Sequence, residues 1–359
     1  MANSEWGEWF PCSLPFAIGH SPFAVSTKTI SLDAARDLVV AALTANRTSA
    51  ENARSVAAAL VGAEADGIKS HGLSRVPSYA GQARSGKVDG LAAPQVTSTG
   101  PAALVIDAAL GFAYPAIDLA IARLPPLCRA HGIAAAAINR SNHCGVAGLH
   151  VERLARAGIA ALMFANTPPG IAPWNARRGL FGTNPIAFAA PVHGRGPIVI
   201  DLSLSKIPRG RLLLAKQKGE PIPEGWALDR DGRPTTDPEA AIQGTMIPMG
   251  DAKGTALALM VEILAGGLTG ARFAYESSSF FDTEGPPPET GQLIIALSPQ
   301  ALGGSTVTDR LAGLAATIEA EPGARLPGAR RYEQRRAAEH GLDVPQALLE
   351  EIMGLGRAP

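Results

Sequence analysis

The sequence predicts an α/β protein with a mixed, largely antiparallel sheet, set beside a helical unit drawn from both ends of the chain and lacking a Rossmann nucleotide domain. Three observations predict it. Short apolar runs of strand length follow one another in the middle of the chain, several joined by Gly- and Pro-rich connectors too short for a helical crossover. Helical texture dominates residues 28–92 and returns at 307–359. No G-x-G-x-x-G stretch lies between a strand and a helix, so the usual dinucleotide turn is missing.

The elements follow in order. Residues 1–27 carry two acidic residues, no positive charge and no apolar run long enough for a signal segment, and read as a leading arm. From Ser31 the text "SLDAARDLVVAALTANRTSAENARSVAAALVGAEADG" predicts a helical hairpin. Ser31 caps its first helix and Thr48 or Ser49 its second, and each has an acid in the first turn. "ALVIDAAL" and "IAAAAIN" are strand candidates flanking the helix-like "AYPAIDLAIARLPPLCRAHG"; "GIAALMFAN", "NPIAFAAP" and "PIVIDLS" follow, all within an α/β region over 93–306. Turn residues recur every few positions across 216–238, which predicts a surface excursion. "KGTALALMVEILAGGLTG" is the most apolar helix and is expected to be buried on most sides. The charged tail from Val307 is helical apart from a break at "PGARLPGARRYEQRR" and is expected to pack on the N-terminal helices.

Composition narrows the function classes. With 359 residues and 46% apolar content the chain can build two or three structural units. Lys plus Arg equals Asp plus Glu at 32 each, with no basic block, so neither nucleic acid nor a membrane surface is an expected partner. Cys12, Cys128 and Cys144 match neither a disulfide framework nor zinc spacing, which suits a reducing, cytoplasmic setting. No run approaches the length of a transmembrane helix. Scattered histidines without H-x3-H spacing argue against a metal site and a zinc hydrolase.

Four stretches carry candidate chemistry. In "DGIKSHGLSRVPSYAGQ", a helix capped by Ser74 places Pro77 in its first turn, His71 just ahead of the helix, and Arg75 and Tyr79 on one face. Arg75 can grip a carboxylate while His71 exchanges a proton, although Ser70 and His71 could equally be a helix-entry motif. In "NRSNHCGVAGLHVERLARAG", free amides at a helix start could hold a phosphate, or Asn142 could be an ordinary cap. Cys144 beside His143 makes a poor nucleophile pair, because adjacent side chains seldom point the same way. Thr183 and Asn184 precede a proline in a polar turn, and Asp201 and Ser203 end an apolar strand. Gly250, Lys253 and Gly254 precede the apolar helix without phosphate-loop spacing.

Taken together, "KSHGLSRVPSY", "NRSNHCGVAG", "GTNPIAFAAP", "DLSLSKIPRGR", "EGWALDRDGRPTTDP", "MGDAKGTALALMVEILAGGLTG" and "RLPGARRYEQR" resemble, in this order from about Thr27 onward, the type-2 malate/L-lactate dehydrogenase family. That family includes ureidoglycolate and sulfolactate dehydrogenases and Δ1-piperideine-2-carboxylate reductases. The resemblance implies a type-2 malate/lactate dehydrogenase-like fold, NAD or NADP as cofactor, a small carboxylate substrate, and a homodimer with active sites near the subunit interface. It assigns proton transfer to His71 with Ser70 as its polar neighbour, and the substrate carboxylate to Arg75, with Tyr79, His143 and Arg211 also at the substrate. Cofactor contacts fall to His143, Cys144, Gly145, Val146, Ala147, Thr183, Asn184, Asp201, Leu202, Ser203, Lys253 and Arg330. The piperideine reductases carry an acid at the place that Arg211 takes here, so the resemblance favours 2-hydroxyacid chemistry of the malate or sulfolactate type over cyclic imine reduction, and intact Ser70, His71, Arg75, His143 and Lys253 weigh against a catalytically silent binder. Arg177, Arg178 and Arg330 are candidates for a 2′-phosphate, while Asp251 beside Lys253 leans toward NAD.

Overall fold

The computed structural model describes residues 26–357, so all but the end of the expected leading arm, together with Cys12, lies outside the described residues. The chain opens with β1 (Thr27–Ile30), α1 (Leu32–Thr44), α2 (Ala50–Ala65) and α3 (Val76–Ser85). Ser31 Oγ accepts the Ala34 amide and Ser49 Oγ that of Asn52 (3.1 and 3.2 Å), with Asp33 and Glu51 in the first turns. Val39, Leu43, Val56 and Leu60 close the helical hairpin around a core of its own.

The entry to α3 corrects the sequence reading. Two short 3-10 turns, Lys69–His71 and Leu73–Arg75, precede the helix, which begins at Val76 with Arg75 at the N-cap position. Pro77 does fall in the first turn. Ser74 is not the cap, because its hydroxyl donates to the Lys69 carbonyl (2.6 Å).

The α/β region runs β2 (Gln95–Gly100), β3 (Ala103–Asp107), α4 (Ala113–His131), β4 (Ile133–Ser141), α5 (Ala147–Arg156), β5 (Ala160–Ala165), β6 (Ile186–Ala190) and β7 (Ile198–Leu202). Residues 216–238 are more than an excursion. With α6 (Arg209–Lys218), β8 (Ala227–Leu228), β9 (Pro234–Thr235), α7 (Pro238–Gln243) and β10 (Thr245–Met246) they form a small unit around Leu212, Ile222, Ala227 and Met246. Next come α8 (Ala252–Val261), which continues as a π-helical turn over Glu262–Gly267, and β11 (Thr290–Leu297). The chain closes with α9 (Pro299–Gly303), α10 (Val307–Ala320), α11 (Ala329–Ala338), β12 (Leu342–Pro345) and α12 (Gln346–Leu355).

The main sheet has the order β2-β3-β4-β11-β5-β6-β7. Only β3 and β4 are parallel, joined by α4 as the crossover; every other pairing is antiparallel. Helices α4 and α5 pack on this sheet through Ile117, Leu124, Val151 and Leu154. β12 pairs with β1, and α12 contributes Leu349 and Ile352 to the N-terminal core. α10 departs from the expected packing: Glu319 and Asp309 pair with Arg195 and His193 on the β6–β7 connector. The apolar helix departs as well. Leu257, Leu259 and Met260 of α8, Ile263 of its extension and Leu268 just past it are exposed on the single chain.

One buried ion network ties α11 to the N-terminal unit. The fully buried Asp66 carboxylate accepts Arg335 Nε and Nη2 (2.7 and 2.9 Å) and lies 3.5 Å from Arg331 Nε; Arg335 also pairs with buried Glu152. Replacing Asp66 by Ala leaves two partly buried guanidiniums short of their anion, so we expect a loss of about 3 kcal/mol. Urea unfolding should report a lower midpoint at unchanged slope. A loss under about 0.5 kcal/mol would place the pair among those that contribute nothing measurable.

Candidate active site

The stretch after α2 is shaped by Glu64, a buried carboxylate that accepts the Leu73 amide (2.9 Å). Burial raises its pKa, against the lowering effects of the Leu73 amide and Lys69. A Cβ on Gly72 would collide with Glu64 Oε2, so only glycine lets the backbone lie on this carboxylate. The turn is closed by Arg75, whose Nε donates to the Ser70 carbonyl (2.8 Å). Ser70 Oγ and His71 Nδ1 are 3.0 Å apart, which leaves Nε2 as the ring nitrogen for a ligand.

The loop between β4 and α5 brings a second imidazole to the first. The His71 and His143 ring centroids are 5.4 Å apart, and Phe280 stands 5.1 Å from His143. Behind them, Tyr79 Oη is 2.6 Å from His143 Nδ1 and 3.0 Å from Tyr114 Oη. Tyr79 is therefore not a substrate contact: it is fully buried and orients His143. Gly145, at φ +66°, passes so close to Tyr114 that a Cβ would lie 2.6 Å from its hydroxyl. Burial, assisted by the charge on Arg75, lowers His71 to about 4 and His143 well below its usual value. Burial also pushes Tyr79 up to about 12. The imidazole pair is neutral at pH 7, beside a fixed cation.

That cation has a neighbour the sequence reading placed two residues away. Arg75 Cζ lies 4.8 Å from the Phe281 ring centroid and Arg209 Cζ 5.7 Å from it. Arg211 is exposed on α6, because residues two apart on a helix project in nearly opposite directions. A Cβ on Gly210 would sit 4.0 Å from Ser70 Cβ, so the first turn of α6 abuts the His71 stretch.

The residues expected at a cofactor divide. At the start of α5, Gly148 N donates to Asp201 Oδ2 (2.9 Å), so a carboxylate of the chain itself already occupies one first-turn amide that a phosphate could have used. Burial raises the pKa of Asp201, opposed by Gly148 and by Arg331 at 3.4 Å. Val146 is the N-cap residue and Ala147 begins the helix. Cys144 is buried, its thiol pushed up to about 12 by burial and then by Asp201, which rules it out as a nucleophile at neutral pH. Leu202 is exposed at the strand end, with Ser203 Oγ 2.8 Å from Ser205 Oγ. Thr183 N donates to Thr167 Oγ1 (2.9 Å).

Asn184 is a correction. It has no exposed surface, and its Nδ2 donates to the Ala258 carbonyl and to Glu262 Oε2 (3.0 and 2.7 Å), so it frames the sheet and cannot reach a ligand. Lys253 and Arg330 are exposed, and neither makes an ion pair among the described residues; the arginine that turns inward is Arg331. Sequence reasoning missed Glu64, Phe281, Arg209 and Arg331. The Phe-Phe pair inside the polar text "ESSSFFDTEGPPP" was the available signal for Phe281.

The model of the malate/L-lactate dehydrogenase family matches residues 30–353. The chain is 51% identical over 326 residues to the (2R)-3-sulfolactate dehydrogenase (NADP(+)) of Chromohalobacter salexigens, covering 91% of this chain and 97% of that protein. Among solved structures, it is similar to the Δ1-piperideine-2-carboxylate reductase of Pseudomonas syringae pvar. tomato, with a TM-score of 0.87, 39% identity, and 92% and 100% of the two chains covered. The sulfolactate dehydrogenase of Methanocaldococcus jannaschii superposes with a TM-score of 0.84 at 29% identity, covering 92% and 98%. The chain belongs to the malate/L-lactate dehydrogenase family, whose non-Rossmann fold and oxidoreductase character agree with the expectation from the sequence.

The neutral histidines also set an acid limit on stability. His150 is buried on α5, its Nε2 2.8 Å from the Cys144 carbonyl, and burial lowers it to about 4 against an ordinary value near 6.5. Between those values the unfolded chain binds more protons, so stability should be lost as pH falls from 6.5 toward 4, by on the order of 2 kcal/mol at pH 5 for this residue. His150→Gln keeps a donor and should flatten that part of the profile in urea titrations at pH 7.5 and 5. An unchanged slope would mean that His150 is solvated in the folded chain.

Proposed function

We propose that the chain catalyses reversible hydride transfer between a nicotinamide cofactor and C2 of a small 2-hydroxy or 2-oxo carboxylic acid of the malate or sulfolactate type. The observation that carries this reading is the neutral His71 held by Ser70 next to Arg75, a base beside a carboxylate clamp. In oxidation His71 Nε2 takes the hydroxyl proton as the hydride leaves C2; in reduction the imidazolium returns it. Burial is the larger cause of the low His71 pKa, and the smaller part that comes from the Arg75 charge is offset when a carboxylate sits on that arginine. Tyr79 fixes the ring of His143, the second imidazole of the cleft.

The residues fit a dinucleotide cofactor, which supplies the hydride acceptor or donor when bound. Arg331 Nη1 is buried without a partner beside the first turn of α5, a donor suited to a phosphate oxygen, and exposed Leu202 offers an apolar surface at the strand end. His143, Gly145 and Ala147 belong to the segment from β4 into α5, and Ser203 follows β7; the Gly148–Asp201 hydrogen bond brings the two segments together. The NADP(+) in the name of the 51% identical relative supports NADP over the NAD suggested by Asp251. The exposed apolar row Leu257, Met260 and Ile263 supports a homodimer formed through α8.

Relatives near 40% identity are named as cyclic imine reductases. Against that reading, among the described residues neither arginine at Phe281 has an acidic partner and no carboxylate joins the Ser70 and His71 pair in hydrogen bonding. The discriminating assay follows NADPH and NADH absorbance with malate, lactate, sulfolactate, ureidoglycolate and piperideine-2-carboxylate. His71→Ala should remove roughly two to four decades of turnover with little change in cofactor affinity; undiminished turnover would take His71 out of the chemistry. Arg75→Lys keeps the charge and loses the two-pronged fork, so kcat/KM should fall about ten- to a hundredfold, mainly through KM. An equal loss with amide analogues of the acid would make Arg75 a structural residue.

A further inference from the structure

Two guanidiniums share one aromatic ring in the cleft. Arg75 and Arg209 both lie over Phe281, which is itself half-exposed in the turn after the 3-10 segment Ala274–Glu276. Both are partly buried, and neither is balanced by an anion of the described chain. Neither has an acidic partner within 4.0 Å among the described residues, whereas Arg335, Arg331, Arg156, Arg153 and Arg195 are all paired. Arg75 uses Nε on the Ser70 carbonyl and keeps its outer nitrogens. Arg209 has a single long contact, Nη2 to the Ile242 carbonyl at 3.4 Å. The titratable groups that feel the Arg75 charge are His71, His143, Tyr79 and Tyr114, none of which supplies a negative charge at neutral pH.

A π face attracts one cation at a time weakly, and two like charges on it are not balanced by the ring. Holding two partly buried cations side by side without an anion is unfavourable, so a ligand that brings two negative charges would complete the arrangement. The two cations are not equivalent. Arg75 is anchored to the turn that carries His71, so the group it holds must lie beside the carbon that reacts. Arg209 reaches the same ring from the first turn of α6, which abuts Ser70. A ligand held at both ends would carry its 2-carboxylate on Arg75 and a second strong acid group on Arg209.

We propose that Arg209 is the specificity residue for the second anionic group of the substrate, so that this enzyme selects dianionic 2-hydroxy acids, with a sulfonate or carboxylate beyond C2, over monoanionic ones. Phe281 is the spacer that sets the distance between the two anion sites. This inference rests on the hydroxyacid reading above and adds to it which acids are preferred and why.

The test compares sulfolactate and malate with lactate in the intact protein and in Arg209→Met and Arg209→Lys, after circular dichroism has shown that each variant melts as the parent does. Loss of one charge-assisted contact should lower the dianion-to-monoanion ratio of kcat/KM by about ten- to a hundredfold in Arg209→Met, chiefly through KM for the dianion. Arg209→Lys should recover part of that ratio, since it restores charge without the fork. A ratio that moves by less than about threefold in Arg209→Met would overturn the assignment. If the parent turns over none of these acids the hydroxyacid reading fails on its own, and calorimetric binding of malate against lactate then decides Arg209. Weaker malate binding in Arg209→Met, relative to lactate, supports the second anion site; unchanged relative binding sinks it.

Discussion

The geometry of the cleft depends on one buried carboxylate. Glu64 sits inside the helical unit and accepts the Leu73 amide, so the chain after α2 cannot run on as a helix and instead makes two tight turns. Those turns present Ser70, His71 and Arg75 together at the surface that faces the sheet. Gly72 is the concession that this contact demands, since any side chain there would push the carboxylate away. The same carboxylate satisfies an amide that the 3-10 turn leaves without a helical acceptor, so one interaction serves both the fold and the position of the base.

Electrostatics in the cleft follow from what surrounds these groups. Tyr79 meets His143 edge-on and is itself backed by Tyr114 and Phe112, both imidazoles are partly buried, and the nearest fixed charge is Arg75. Both effects favour neutral rings, with burial the larger. A neutral base next to permanent cations suits an anionic substrate, whose charge completes the site and whose proton has a place to go.

Two buried polar networks hold the layers in register. Glu262 on the π-helical turn accepts Asn166, Asn184 and the Ala274 amide, and so fastens the apolar helix to the end of β5 and to the loop before β6. Asp66, Arg335, Glu152, Arg331 and Asp201 form the other, linking α2, α11, α5 and β7. Each has its charges paired or hydrogen-bonded, which is what makes burial of so many ions tolerable. The second network ends at the first turn of α5, where Asp201 accepts the Gly148 amide.

Local order was readable from the residues alone. Ser31 and Ser49 as caps, Pro77 in a first turn, the strands at 103–107, 133–141, 160–165, 186–190 and 198–202, and the absence of a Rossmann turn all rest on short-range chemistry between neighbours in the chain. The opening motif with Ser70, His71 and Arg75 was legible for the same reason, because its members lie within six residues of one another. Tertiary structure alone decided the rest. β11 takes the centre of the sheet between β4 and β5, a place set by pairing with strands more than a hundred residues earlier. Arg209 in place of Arg211, Arg331 in place of Arg330, Tyr79 behind His143 and Asn184 inside the frame depend on which side of an element faces a partner, and that partner is chosen by packing across the chain. Residue identity sets what a side chain can do; only long-range contacts choose the neighbour it does it with.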